Sequence, residues 1–257
     1  MFDPHTVSLF QDAVVDPRFP LALGIAALAG LVRGFSGFGS ALVYMPLISA
    51  VYGPTVAAPT LLLIDSICSL PIALHAIQCI WREVAAVSIA GAVVLPFGAL
   101  ALVVVDPLSL CWFIAGLVLV ALTTLAVGWR YHGRPTLAFS LGVGALAGFG
   151  GGAVQIGAPP LLVFWLGGTN NAVTVRANIM VYFIMQGALS MVMYFFSGLF
   201  NAQAIVLSLL LGLPFAVAMA GGAFWFHGTS DALYRRAAYL FIAMAALVSL
   251  PVFDGLR

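Results

Sequence analysis

Two ionisable residues sit inside long apolar runs of this 257-residue chain: Arg33, in "GLVRGFSGFGS", and Asp65, in "LLLIDSICSLP". A guanidinium presents a planar fork of donors that matches an oxyanion through two parallel hydrogen bonds. A carboxylate that deep costs about 2.5 to 3.5 kcal/mol on insertion scales, and makes a candidate for carrying a proton or pairing with a cation. The alternatives are structural: a static Arg33–Asp65 pair that steadies the fold, an Arg33 that snorkels to the interface, or an Asp65 hydrogen-bonded to Ser66 or Ser69. Arg176, in "NNAVTVRANIMVYF", lies about five residues into its run. It either snorkels to the interface or faces a cavity, where Asn178 and Gln155 would add amide donors. Enzyme chemistry is not expected. The chain has no H-E-x-x-H, Cys68, Cys79 and Cys111 show no metal-ligand spacing, and no Ser/His or carboxylate/His pair shares a depth, so no catalytic, metal or cofactor site is assigned.

Glycine supplies the second chemical feature. Residues 34–46, "GFSGFGSALVYMP", and 148–160, "GFGGGAVQIGAPP", place loose backbone inside stretches apolar enough for lipid. Such backbone is tolerated at membrane depth where it is buried in protein or lines a wet cavity. Gly34, Gly37 and Gly39 with Ser36 and Ser40, and Gly150, Gly151 and Gly152, are therefore candidate ligand contacts at half-helix junctions, with bare N–H groups and a helix N-terminus facing an anion. Close helix packing is the competing use of such glycines. Recurrence of the two motifs with a trailing proline, Gly34 to Pro46 against Gly148 to Pro160 at an offset of 114, favours the junction.

These residues must be positioned by membrane helices. Hydrophobic residues make up 63% of the chain and charged residues 7%, and the mean hydropathy is +1.17, which excludes the soluble globular classes. The fold class expected is an all-α polytopic membrane protein. Nine arginines and no lysine against eight acidic residues leave a net charge of +1, with no basic block for nucleic acid. The opening residues lack the basic region of a cleaved signal peptide.

Crossing a hydrocarbon core of about 30 Å takes about 20 helical residues. Runs of that length lie near 55–80, 84–105, 109–128, 172–197, 202–226 and 233–253, and two further stretches, 19–52 and 137–166, hold the glycine motifs. "LPF" recurs at 95–97 and 213–215. Residues 1–257 thus read as one membrane domain of two repeats, 19–128 and 137–253, joined by a polar linker at 129–136. The loops that carry Arg82, Arg130 with Arg134, and Arg235 with Arg236 are expected in the cytoplasm, and the 106 and 197–203 turns outside. That parity makes 19–52 and 137–166 each dip and return, and inverts the two repeats, each a broken or re-entrant Gly-rich segment plus three transmembrane helices. Inverted repeats with interrupted helices are a secondary-transporter pattern, with the substrate near the midplane. His75 and Gln78 fall near a cytoplasmic span end, and Pro96 and Pro214 would kink their helices.

The paired stretches "GFSGFGSALVYMPLI" and "GFGGGAVQIGAPPLL" resemble the glycine-rich motifs of the TauE/SafE sulfite exporter family, also called the four-toluene-sulfonate uptake permeases. The second keeps a triple glycine at 150–152, whereas the first has Gly37, Phe38 and Gly39. The resemblance implies a multi-pass permease of the bacterial inner membrane that moves sulfite, sulfoacetate or other organosulfonates, mostly outward. Proton-coupled import of a small organic anion is the alternative. The expected surroundings are lipid and a small anionic substrate, with a homodimer left open.

Overall fold

The computed structural model describes residues 4–73, 81–126, 136–166 and 172–226. These form α1 (Pro4–Val15), α2 (Phe19–Ser36), α3 (Ser40–Tyr52), α4 (Pro54–Ala73), α5 (Trp81–Val104), α6 (Pro107–Ala126), α7 (Leu137–Val154), α8 (Ala158–Leu166), α9 (Ala172–Phe196) and α10 (Ala202–Phe226). No strand occurs among the described residues. Among the described residues, five helices are long and apolar enough to cross a membrane: 19–36, 84–104, 137–154, 173–196 and 202–225. Of the expected runs, 84–105, 172–197 and 202–226 correspond to span-length helices α5, α9 and α10, whereas those at 55–80 and 109–128 coincide with α4 and α6, whose described apolar parts, 54–68 and 107–117, are shorter; the other two span-length helices, α2 and α7, are the first arms of the stretches expected to dip and return. The run at 233–253, most of the 129–136 linker, the 235 loop, His75 and Gln78 lie outside the described residues.

Short connections set the helix ends. The α5–α6 turn is closed by Asp106, whose Oδ2 accepts the Ser109 N–H at 2.8 Å. Hydrogen bonds from Ser109, side chain first and backbone second, hold the Asp106 carboxyl below its ordinary range. Asn201 caps α10 through the Ala204 N–H at 2.8 Å, and Thr136 caps α7 through the Phe139 N–H at 3.3 Å. Such caps satisfy donors that lack an intrahelical partner.

The most extensive helix contacts pair α5 with α7 and α2 with α10, and glycine makes both possible. Gly30 and Gly34 of α2 lie against the carbonyls of Phe215 and Met219, and Gly222 of α10 lies against that of Leu31. Likewise Gly144, Gly148 and Gly152 of α7 meet the carbonyls of Val87, Gly91 and Leu95, and Gly98 of α5 meets that of Phe149. A Cβ at any of these positions would overlap backbone of the neighbouring helix. Contacts ascend together along both chains, so each pair runs in the same direction. Every pair takes one helix from each half.

The "LPF" echo does not mark equivalent positions. Leu95 is buried and Phe97 is 63% exposed, whereas Leu213 is 72% exposed and Phe215 is buried. The two prolines lie inside α5 and α10, both half-buried, with the buried and exposed flanking residues exchanged. Exposed apolar side chains such as Ile89, Val93 and Leu100 on α5 and Leu209, Val217 and Phe224 on α10 face away from the bundle. In a bilayer that is the side lipid would wet.

Candidate functional site

The two long stretches break where a left-handed residue is available. In the first, α2 ends at Gly37 with φ 77°, whose N–H donates to the Arg33 carbonyl at 2.8 Å, and Gly39 with φ 91° starts α3. The hydroxyl of Ser36 lies 2.6 Å from the Val32 carbonyl and against that of Phe38, and accepts the Phe38 N–H at 3.2 Å. Ser36 thereby pins the turn.

In the second stretch the break falls at residues 155–157, one helical turn later than the offset of 114 expects. Gly150, Gly151 and Gly152 remain helical. The left-handed position is taken by Gln155, φ 57°, whose N–H donates to the Gly151 carbonyl at 3.0 Å while the Ile156 N–H reaches back to that of Gly150 at 3.0 Å. The chain folds back over Gly150, where a Cβ would strike the Ile156 carbonyl. The Gln155 amide donates to the Tyr194 hydroxyl at 3.1 Å, which donates to the Gly152 carbonyl at 2.7 Å. Fixed this way, a non-glycine residue holds φ > 0.

Both breaks open on one cavity of about 460 Å³. Arg33, Gly39 and Ser40 reach it from the first break, Asp65 and Ser66 from α4, and Gly148, Gly151, Gln155 and Ala158 from the second. The second arms of the broken stretches, α3 and α8, start at its wall. Among the described lining residues Arg33 and Asp65 carry the charges. Arg33 is 5% exposed; its Nη1 donates to the Gly37 carbonyl at 2.7 Å, its Nη2 lies 2.9 Å from Asp65 Oδ2, and its Cζ stands 5.3 Å from the Phe183 ring centroid. The break that admits the cavity thus also holds the guanidinium. The close Arg33–Asp65 contact expected as a structural alternative is made, and it is made on the cavity wall.

Other candidates separate from the cavity. Gly34 and Gly152 serve helix packing, Gly150 serves the turn, Gly37 and Ser36 shape the first break, and Asn178, fully buried in α9, does not line the cavity. Arg176 lies in the second turn of α9, and its side chain falls outside the described residues. By contrast, α9 contributes Tyr182, Phe183, Gln186 and Ser190 to the wall, which sequence reasoning passed over. The signal was present: residues 182, 186 and 190 recur every four positions along an apolar helix, which puts them on one face. No group of three or more metal-ligating side chains occurs among the described residues.

A family model described as "Sulfite exporter TauE/SafE" matches residues 22–249, most of the chain. No curated protein and no solved structure matches it significantly.

Proposed function

Since the chain belongs to the TauE/SafE sulfite exporter family, a family of membrane transporters, we propose that it moves a small sulfur-containing anion such as sulfite, sulfoacetate or another organosulfonate through the cavity between its two broken stretches. One observation carries this reading. A buried guanidinium stands in a cavity that both backbone breaks open upon, beside the starts of α3 and α8. Helix N-termini and guanidinium both favour negative charge, and Arg can bind a sulfonate or sulfite at two points. The anion would exchange with Asp65 for the Arg33 guanidinium as the two halves rock about the site, an alternating-access cycle of inverted repeats with re-entrant segments. Export is the electrically easier direction, because an inside-negative potential drives anion exit by about 2.3 kcal/mol per charge per 100 mV. The site of action we assign is the bacterial inner membrane.

Flux from proteoliposomes tests the reading. Wild-type protein should carry at least one of sulfite and sulfoacetate, and Arg33→Lys should lower anion affinity about tenfold, since an ammonium loses the second of two charge-assisted bonds. Unchanged affinity in that variant would place the site elsewhere. The Arg33–Asp65 contact favours one further reading, import of a small organic anion coupled to a proton taken up by Asp65. Asp65→Asn discriminates the two. Under symport it abolishes the dependence of flux on the pH gradient; under uncoupled export it leaves that dependence as it was.

A further inference from the structure

The two breaks are fixed in different ways. In the first, Gly37 takes the left-handed position and Ser36, the residue before it, sets its hydroxyl against the Val32 and Phe38 carbonyls, so the turn is held by its own neighbours. At the offset of 114 the counterparts of Ser36 and Gly37 are Gly150 and Gly151. The second stretch therefore has a glycine where the left-handed residue is due, and no hydroxyl to pin it there. Its break lies one helical turn later, on Gln155, and is held from another helix. The Tyr194 hydroxyl of α9, fully buried, accepts from Gln155 Nε2 at 3.1 Å and donates to the Gly152 carbonyl at 2.7 Å.

Local preference runs against that placement. A residue with a Cβ is disfavoured at φ 57°, whereas Gly151 takes that conformation freely. Winding Gly150, Gly151 and Gly152 into the last turn of α7 is also unfavourable, because glycine loses the most backbone freedom in a helix. Ending α7 at Gly151 would relieve both, at the loss of the Tyr194 bonds and of the contacts that Gly152 and Ala153 make with α5. The closer-in contacts at Gly144 and Gly148 precede the break in either case. Tertiary contacts thus hold the chain in one position while its local sequence favours another.

We propose that the second break is a hinge with two seats, Gln155 as found here and Gly151 in a second state of the transporter, and that Tyr194 is the positioning residue that selects between them. Gly151 and Gln155 both line the cavity, so moving the break by one turn rebuilds that wall: α7 shortens at its cavity end and Gln155 gives up its tie to α9. The first break, pinned by Ser36, keeps its place and holds Arg33.

The test is hydrogen–deuterium exchange on the purified full chain in micelles with no anion present, so its failure leaves the anion reading untouched. Tyr194→Phe should raise exchange of the amides at 152–155 about twentyfold, as the loss of two neutral hydrogen bonds allows. Gln155→Met, which removes one of those bonds and leaves Tyr194 in place, should raise it about fivefold, and supplies a second release if the first variant fails to fold. Further substitutions then separate a hinge from a frayed helix end. Gly151→Ala, whose Cβ meets nothing within 4 Å in the present seat, disfavours the other seat and should return exchange to the wild-type level on either background. Gln155→Gly on Tyr194→Phe removes the disfavoured Cβ and should lower exchange, although it adds a flexible residue. Fraying gives the opposite sign, more exchange than in Tyr194→Phe alone. That result, exchange left high by Gly151→Ala, or no rise when the Tyr194 hydroxyl or the Gln155 amide is removed overturns the hinge.

Discussion

Arg33 is held by partners of different kinds, among them a carbonyl at the break, a carboxylate on α4 and an aromatic face on α9. A cation so enclosed is both a ligand site and a structural risk, because an uncompensated charge in the same place would be strongly destabilising. Arg33→Met should therefore lower stability by about 3–5 kcal/mol, the range for breaking a buried pair, and Arg33→Met with Asp65→Leu should recover most of it. Unfolding in mixed micelles measures both, and a double variant as weak as the single would show that the pair adds little. Arg33 and Asp65 were legible in the sequence because charge inside an apolar run is rare. Tyr182 and Gln186 stood out less, since a neutral polar residue in an apolar run is commoner than a charge, and only their four-residue spacing with Ser190 marked a shared face.

Among the elements, glycine divides by use, and the division decides what substitution does. Gly34 lies against the Met219 carbonyl, while a Cβ on Gly151 meets nothing within 4 Å on the cavity wall. Gly34→Val should overpack the α2–α10 contact and cost about 1–3 kcal/mol or more. Gly151→Val should fold with near wild-type stability and still lose anion binding, because its side chain enters the cavity. Thermal unfolding with and without anion separates the two, and a Gly151→Val protein stabilised by anion to the wild-type extent would remove Gly151 from the site. Helix positions followed from run length, but the second break did not follow from the motif. A triple glycine marks close approach and conformational freedom equally well, and at 150–152 the three divide: Gly150 meets the fold-back at Ile156, Gly151 meets nothing within 4 Å, and Gly152 meets α5, more than fifty residues away in the chain. The first break does fall inside its motif, where Gly37 and Gly39 both hold φ > 0.

At the scale of the molecule, the 105–106 and 197–201 turns follow α5 and α9. Single cysteines at Val105 and Ser197 should label from the outside in intact cells if loop arginines set the orientation; labelling of either from the cytoplasm alone would invert or break the assigned parity. The long first arms, α2 and α7, have 18 residues each and span about 27 Å at 1.5 Å per residue. Arg33 nevertheless meets Asp65 near the middle of α4, so the first arm ends beside the centre of that helix. The pairing of α2 with α10 has a further result for biosynthesis. The glycine-lined side of α2 is made well before the helix that covers it, which is completed about 200 residues later. Until then it waits in the bilayer uncovered, so the nascent chain passes through a long interval in which nothing in its own half can finish the job. Two separately translated halves, cut within 129–136, should accordingly be degraded when made singly and persist when made together.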